Sequence, residues 1–175
     1  MTEAMTNTDD VATELALPKA RHLLETATLC RLAYNGKDGL PRVIPIGFHW
    51  NGAAIVVCTA TTAPKVRALA ARPDVAVTID GGATPAEAQS LLVRGRVTLE
   101  TVDGIPEEYL AGTTKVMDAA AAAEFEGMVR QMYPQMVRIT LEPSWARFFD
   151  YGGGRIPQFL AELAEKAMGG GPERS

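Results

Sequence analysis

The chain has 175 residues, 47% of them hydrophobic and 22% charged, with a formal net charge of −4. That is the size and balance of one globular domain, and its acidity excludes a broad basic face for nucleic acid, leaving room only for a local positive pocket. Cys30 and Cys58 sit in apolar runs without metal-ligand spacing, and His22 and His49 are too sparse for a zinc site or a Ser-His-Asp triad, so the thiols read as buried structural groups.

Residues 1–10 carry acids and threonines but no basic region with an apolar run behind it, which reads as a flexible tail and not a signal peptide. No later segment approaches the roughly 18 uninterrupted apolar residues of a membrane span. The expectation is a cytoplasmic protein with neither a membrane nor a nucleic-acid partner. A single domain is expected over 11–168, followed by a second flexible tail over 169–175.

From Pro18 to Thr28 the spacing of Ala20, Leu23, Leu24 and Ala27 predicts a helix, with Pro18 in the first turn where its missing N–H costs nothing. Leu29 to Tyr34 predicts a strand, Asn35 to Gly39 a turn, and Val43 to Trp50 a second strand. Asn51-Gly52 between two apolar runs is a hairpin signal, so a third strand over Ala53 to Thr59 completes an antiparallel meander. A helix follows from Pro64 to Arg72, with Val66, Leu69 and Ala70 inward and Pro73 beyond its end.

Asp74 to Asp80 and Ser90 to Glu100 predict two further strands, the latter with a bulge or close backbone approach at Gly95. Helix is expected between Ile105 and Met132, with Phe125, Met128, Val129 and Met132 covering the sheet. Met136 to Leu141 forms a sixth strand, and Trp145 to Tyr151 continues the sheet after a break at Pro143. Ile156, Phe159, Leu160 and Leu163 mark a closing amphipathic helix. The fold class is therefore mainly β with peripheral helices, a six- to seven-stranded antiparallel barrel; regular strand–helix alternation and a G-x-G-x-x-G fingerprint are both absent.

The segment Thr59-Ala60-Thr61-Thr62-Ala63-Pro64-Lys65-Val66-Arg67 couples a strand end to a helix start. Exposed N–H groups, the positive end of the helix dipole, the hydroxyls of Thr59, Thr61 and Thr62 and the Lys65 ammonium together suit a phosphate. They equally suit an ordinary threonine-rich cap with a solvated lysine, and spacing alone does not separate the two. Arg42 would add a second cation from another strand, and Pro45 removes an N–H where a ligand or a sheet edge replaces pairing.

Arg42-Val43-Ile44-Pro45-Ile46, Thr59 to Lys65, and Lys65-Val66-Arg67-Ala68-Leu69-Ala70-Ala71-Arg72-Pro73 resemble the cofactor-binding half of the flavin-binding split barrels of the pyridoxamine 5'-phosphate oxidase-like superfamily. The resemblance covers Leu29 to Leu99 well and Met136 to Asp150 more loosely. It implies that the strand Arg42, Val43, Ile44 and Pro45 lies beside a flavin ring, and that Arg42, Lys65, Thr59, Thr61, Thr62 and Pro64 hold the cofactor phosphate, with Arg67 as a cation for its tail. It also implies a homodimer with the cofactor at its interface, covered by Trp145, Phe148, Phe149 or Tyr151.

Where the superfamily's oxidases have Ser-Arg-Lys this chain has Ala63-Pro64-Lys65, and where they have Trp-Asp it has Phe149-Asp150, so pyridoxamine phosphate oxidation itself is not implied. The Lys-x-Arg-x-Leu pattern leans toward the branch that uses the deazaflavin coenzyme F-420, with FMN the alternative. The implied function is a flavin- or deazaflavin-dependent oxidoreductase passing hydride to a small conjugated or electron-poor substrate. A non-catalytic carrier of the same cofactor is the alternative, and a haem-binding or haem-degrading barrel with His22 as ligand a third.

Overall fold

Strands that bury every second side chain dominate the computed structural model, which describes residues 8–169. They are β1 (Leu29–Asn35), β2 (Pro41–Gly47), β3 (His49–Trp50), β4 (Ile55–Ala60), β5 (Asp74–Gly81), β6 (Gln89–Asp103) and β7 (Gln135–Asp150). All pairings are antiparallel, in the order β2-β1-β5-β6-β7-β4-β3. Around them lie α1 (Thr8–Ala16), α2 (Pro18–Thr26), α3 (Pro64–Ala71), α4 (Glu107–Thr113), α5 (Ala119–Met132) and α6 (Gln158–Gly169). The fold is the expected one, mainly β with peripheral helices, a seven-stranded antiparallel split barrel.

β2 and β3 are consecutive in the chain yet stand at opposite ends of the sheet order. The chain leaves the β2 edge at Gly47, buries Phe48 in the core and joins the far edge at His49. This corrects the expected three-strand meander: the hairpin at Asn51-Gly52 exists, but it joins β3 to β4, and β4 pairs onward with β7 and not with β2. The physical reason is burial. Ile55, Val56, Val57, Cys58 and Thr59 of β4 are all buried, so that strand needs cover on both faces, and beside β7 it has it: Ile55 and Val57 face the barrel core, while Val56 and Cys58 pack with Tyr109, Leu110 and Phe125 of α4 and α5. Asn51 accepts from the N–H groups of Ala53 (3.0 Å) and Ala54 (2.8 Å), and Gly52 takes a φ of +96° that closes the turn.

The expected break at Pro143 is absorbed within one long strand. Opposite it the β6–β7 register shifts between Arg94 and Gly95, where a Cβ on Gly95 would stand 2.0 Å from the Glu142 carbonyl oxygen. α1 was not foreseen. Its first three residues fall in the expected tail, whose residues 1–7 lie outside the described residues, as do 170–175 of the second tail.

Two apolar clusters result. The larger fills the barrel with Leu24, Leu32, Phe48, Ile55, Leu69, Ile79, Leu91, Val93 and Ile139; the smaller seals α4 and α5 onto the outside of β4 and β7 through Val56, Cys58, Ile105, Val129 and Met136. In α3 the buried residues are Ala68 and Leu69, and Ala70 is exposed, contrary to expectation. In α5, Val129 is buried and Phe125 packs beside it, but Met128 and Met132 remain exposed because they lie about a quarter-turn round the helix. Among the described residues no helix is long and apolar enough to cross a membrane.

Candidate functional site

β2 pairs with β1 alone and forms one edge of the sheet. Its alternation splits the expected ring-facing segment. Ile44 and Ile46 pack against the core, whereas Val43 (64% exposed) and Pro45 face outward. The edge position tolerates Pro45, which has no N–H to give to a second neighbour.

Next to that edge, the β1–β2 hairpin turn and the start of α3 enclose a cavity of about 440 Å³ lined by Tyr34, Gly36, Lys37, Asp38, Arg42, Thr62, Pro64, Arg67 and Ala68. Four of the sequence-derived residues, Arg42, Thr62, Pro64 and Arg67, therefore meet at one place. Arg42 donates to Asp38 Oδ2 at 2.6 Å, and Asp38 Oδ1 accepts from the Leu40 N–H at 3.1 Å. From the end of α3, Arg72 donates to the Gly36 carbonyl at 2.8 Å and so fixes the turn against the helix. Three cations and one carboxylate line the cavity, an excess of positive charge in a chain that is acidic as a whole.

Lys65 does not line this cavity. It is half-buried and donates to Thr59 Oγ1 at 2.9 Å, and burial holds its ammonium below the ordinary lysine value. Thr59 is buried within the barrel, and Thr61 is exposed on the loop between β4 and α3. Ala63, the N-cap of α3, offers no side-chain cap; Pro64 has no N–H to satisfy, and the Val66 N–H donates to the Ala63 carbonyl at 3.0 Å. Of the four later aromatics, Phe148 is buried in the barrel core. Trp145 lies half-buried on the outer face with the Arg94 guanidinium 4.0 Å over its ring, and Phe149 and Tyr151 are partly or well exposed.

Sequence reasoning missed Tyr34, Lys37 and Asp38. The turn Asn35-Gly36-Lys37-Asp38-Gly39 was legible, but only the packing of α3 on β1 brings it against Arg67. A second cavity, about 300 Å³ beneath α4, includes Cys58, Glu108 and Tyr109. Burial pushes the Cys58 thiol up to about 12 and the Cys30 thiol likewise, so both are inert as nucleophiles at neutral pH. Among the described residues no group of three or more His, Cys, Asp or Glu is placed to hold a metal.

A family model described as pyridoxamine 5'-phosphate oxidase matches residues 18–145. A conserved hypothetical protein from Mycobacterium tuberculosis superposes with a TM-score of 0.63 at 18% identity, over 83% of this chain and 92% of that one. An F-420 reductase superposes with a TM-score of 0.51 at 24% identity, over 73% and 94%. A haem-binding protein from Mycobacterium smegmatis does so with 0.56 at 22%, over 83% of this chain and 56% of that one. At such identities the likeness carries the fold and not the ligand. No curated protein matches the chain.

Proposed function

The chain belongs to the pyridoxamine 5'-phosphate oxidase family, and on that premise we propose that it is an oxidoreductase that binds a phosphate-bearing flavin or deazaflavin along the β2 edge. The observation that carries this reading is the cation-rich cavity set beside an exposed apolar strand edge. Arg42, Arg67 and Lys37 hold the anionic end, with Thr61 and Thr62 on the loop that leads into the N-terminal, positive end of α3. Lys65 joins them by exchanging its Thr59 hydroxyl for a phosphate oxygen, an exchange that its burial favours because the ammonium is incompletely solvated. Val43 and Pro45 offer the flat ring an apolar surface, flanked by the half-buried Ile44.

When bound, such a cofactor supplies the hydride chemistry itself, so the chain needs no acid, base or nucleophile of its own. Its residues bind, orient and exclude water. Arg67 and Lys37 exceed what one phosphate requires, which favours the deazaflavin coenzyme F-420, with its longer acidic tail, over FMN. The reaction proposed is hydride transfer to a small electron-poor substrate in the cytoplasm.

The proposed assembly is a homodimer. The outer face of β1 and β2 leaves Leu29 (52% exposed) and Val43 bare, and a second copy covering them would also shelter the ring.

Tryptophan-fluorescence titration with FMN, coenzyme F-420 and haem, on the wild type and Lys65→Ala, tests the reading. Saturable binding of one flavin-type ligand, weakened about tenfold by the substitution, is the expected result; binding of neither flavin discards it. Reoxidation of the bound reduced cofactor by electron-poor acceptors, faster than free in solution, distinguishes an enzyme from a carrier.

A further inference from the structure

We infer that Asp38 is an internal competitor in the β2–α3 cavity, its carboxylate holding Arg42 until a bound anion takes its place. The inference rests on reading that cavity as an anion site. Asp38 is the sole acid among the lining residues, and Arg42 is the lining cation that it pairs. Lys37 and Arg67 have no side-chain hydrogen bond or ion pair among the described residues.

The pair is built into the turn. Asp38 Oδ1 takes the Leu40 N–H, leaving Oδ2 to meet Arg42 at 2.6 Å. Both groups lie over Gly36, where a Cβ would come within 2.8 Å of Asp38 Oδ1 and 3.2 Å of Arg42 Cζ. The carboxylate thus occupies the guanidinium in the manner of a phosphate oxygen, using the same kind of charge-assisted hydrogen bond. Because the side chains of Arg42 and Asp38 are 44% and 47% exposed, an incoming anion displaces Asp38 toward solvent without opening the core. Weakly held anions therefore meet a threshold, while an anion that also engages Arg67 and Lys37 passes it.

The experiment is calorimetric titration of inorganic phosphate into wild type, Asp38→Asn, Arg42→Ala and the double variant, with thermal unfolding as a control. Asparagine keeps the acceptor for the Leu40 N–H, and Asp38→Ser repeats the test should Asp38→Asn fold poorly. Expected is a gain in phosphate affinity of about two- to fivefold in Asp38→Asn, the size of an exposed ion pair, and no gain in the Arg42→Ala background. An unchanged or weaker affinity in Asp38→Asn overturns the inference. So does an equal gain in the Arg42→Ala background, since Asp38 would then act as a distant charge.

Parallel titration with FMN and coenzyme F-420 separates this from the functional reading. A flavin that binds while phosphate affinity ignores Asp38 leaves that reading standing and removes the competitor; a phosphate gain without flavin binding does the reverse. Phosphate binding to none of the four proteins removes the competitor and the anion site together.

Discussion

Glu14 and Asp38 each meet an arginine, but in opposite settings. Glu14, buried on α1, accepts from the Phe148 N–H at 2.8 Å and from Arg147 at 3.2 Å, and pairs with Arg155. These contacts tie α1 to the end of β7 and to Arg155 just beyond it, and the cavity of about 220 Å³ beside Glu14 is lined by Asp10, Thr13, Glu14, Ala146 and Arg147, two acids to one cation, so it offers an incoming anion no excess of donors. Asp38 is exposed, serves one arginine, and stands at a cavity with two further cations. The contrast separates charge that holds the fold together from charge held in reserve for a ligand: the first saturates a buried acid, the second leaves donors in excess over an opening.

The largest expected effect lies on the Glu14 side. Glu14→Ala strands the Phe148 N–H and takes a partner from two half-exposed guanidinium groups, and should cost about 2 kcal/mol in urea unfolding, with cofactor affinity per folded molecule unchanged. A loss of affinity without a loss of stability would erase the distinction.

Arg67→Ala sharpens the other side. It should weaken coenzyme F-420 by about tenfold, the worth of one charge-assisted hydrogen bond, and FMN by less, with the urea midpoint unmoved. Equal losses for the two cofactors would end the tail-binding role of Arg67.

The smallest effect comes from an intermediate case. Lys19 donates to Asp150 at 2.6 Å, and that ammonium holds the Asp150 carboxyl below its ordinary value of 3.8. A carboxyl lowered in the folded state stabilises above its unfolded value and loses that contribution as pH falls through the lowered one. Lys19→Met should therefore unfold at a slightly lower temperature than wild type at neutral pH. The two melting curves should converge below a pH of about 4. A gap that persists into stronger acid would assign the effect to packing of the lysine stem.

The strands were legible because alternation is a local property: Asp74 to Asp80 and Met136 to Leu141 carry it unambiguously. Connectivity was not. Nothing local distinguishes a strand that continues past Gly47 from one that crosses to the other edge at Phe48, since burial of Phe48 is decided by the finished barrel. The site divided in the same way. Arg42, Thr62, Pro64 and Arg67 were found through their family pattern, whereas Lys37 and Asp38 entered only when α3 packed on β1. α1 escaped notice because Glu14, a charged residue among the apolar positions, is inward-facing and satisfied by partners more than 130 residues away in the chain.

The placement of β4 between β3 and β7 has a kinetic consequence. Its side chains are almost wholly apolar, yet its long ladder runs from Ile55↔Leu141 to Ala60↔Met136, so a nascent chain displays β4 well before its partner exists. At about 5–20 residues per second, β4 waits roughly 4 to 15 s for β7 to be synthesised. During that interval only the two-residue β3 can pair with it. Closure of the barrel is thus the late step, and the unpartnered β4 is the segment on which misassembly between growing chains would begin.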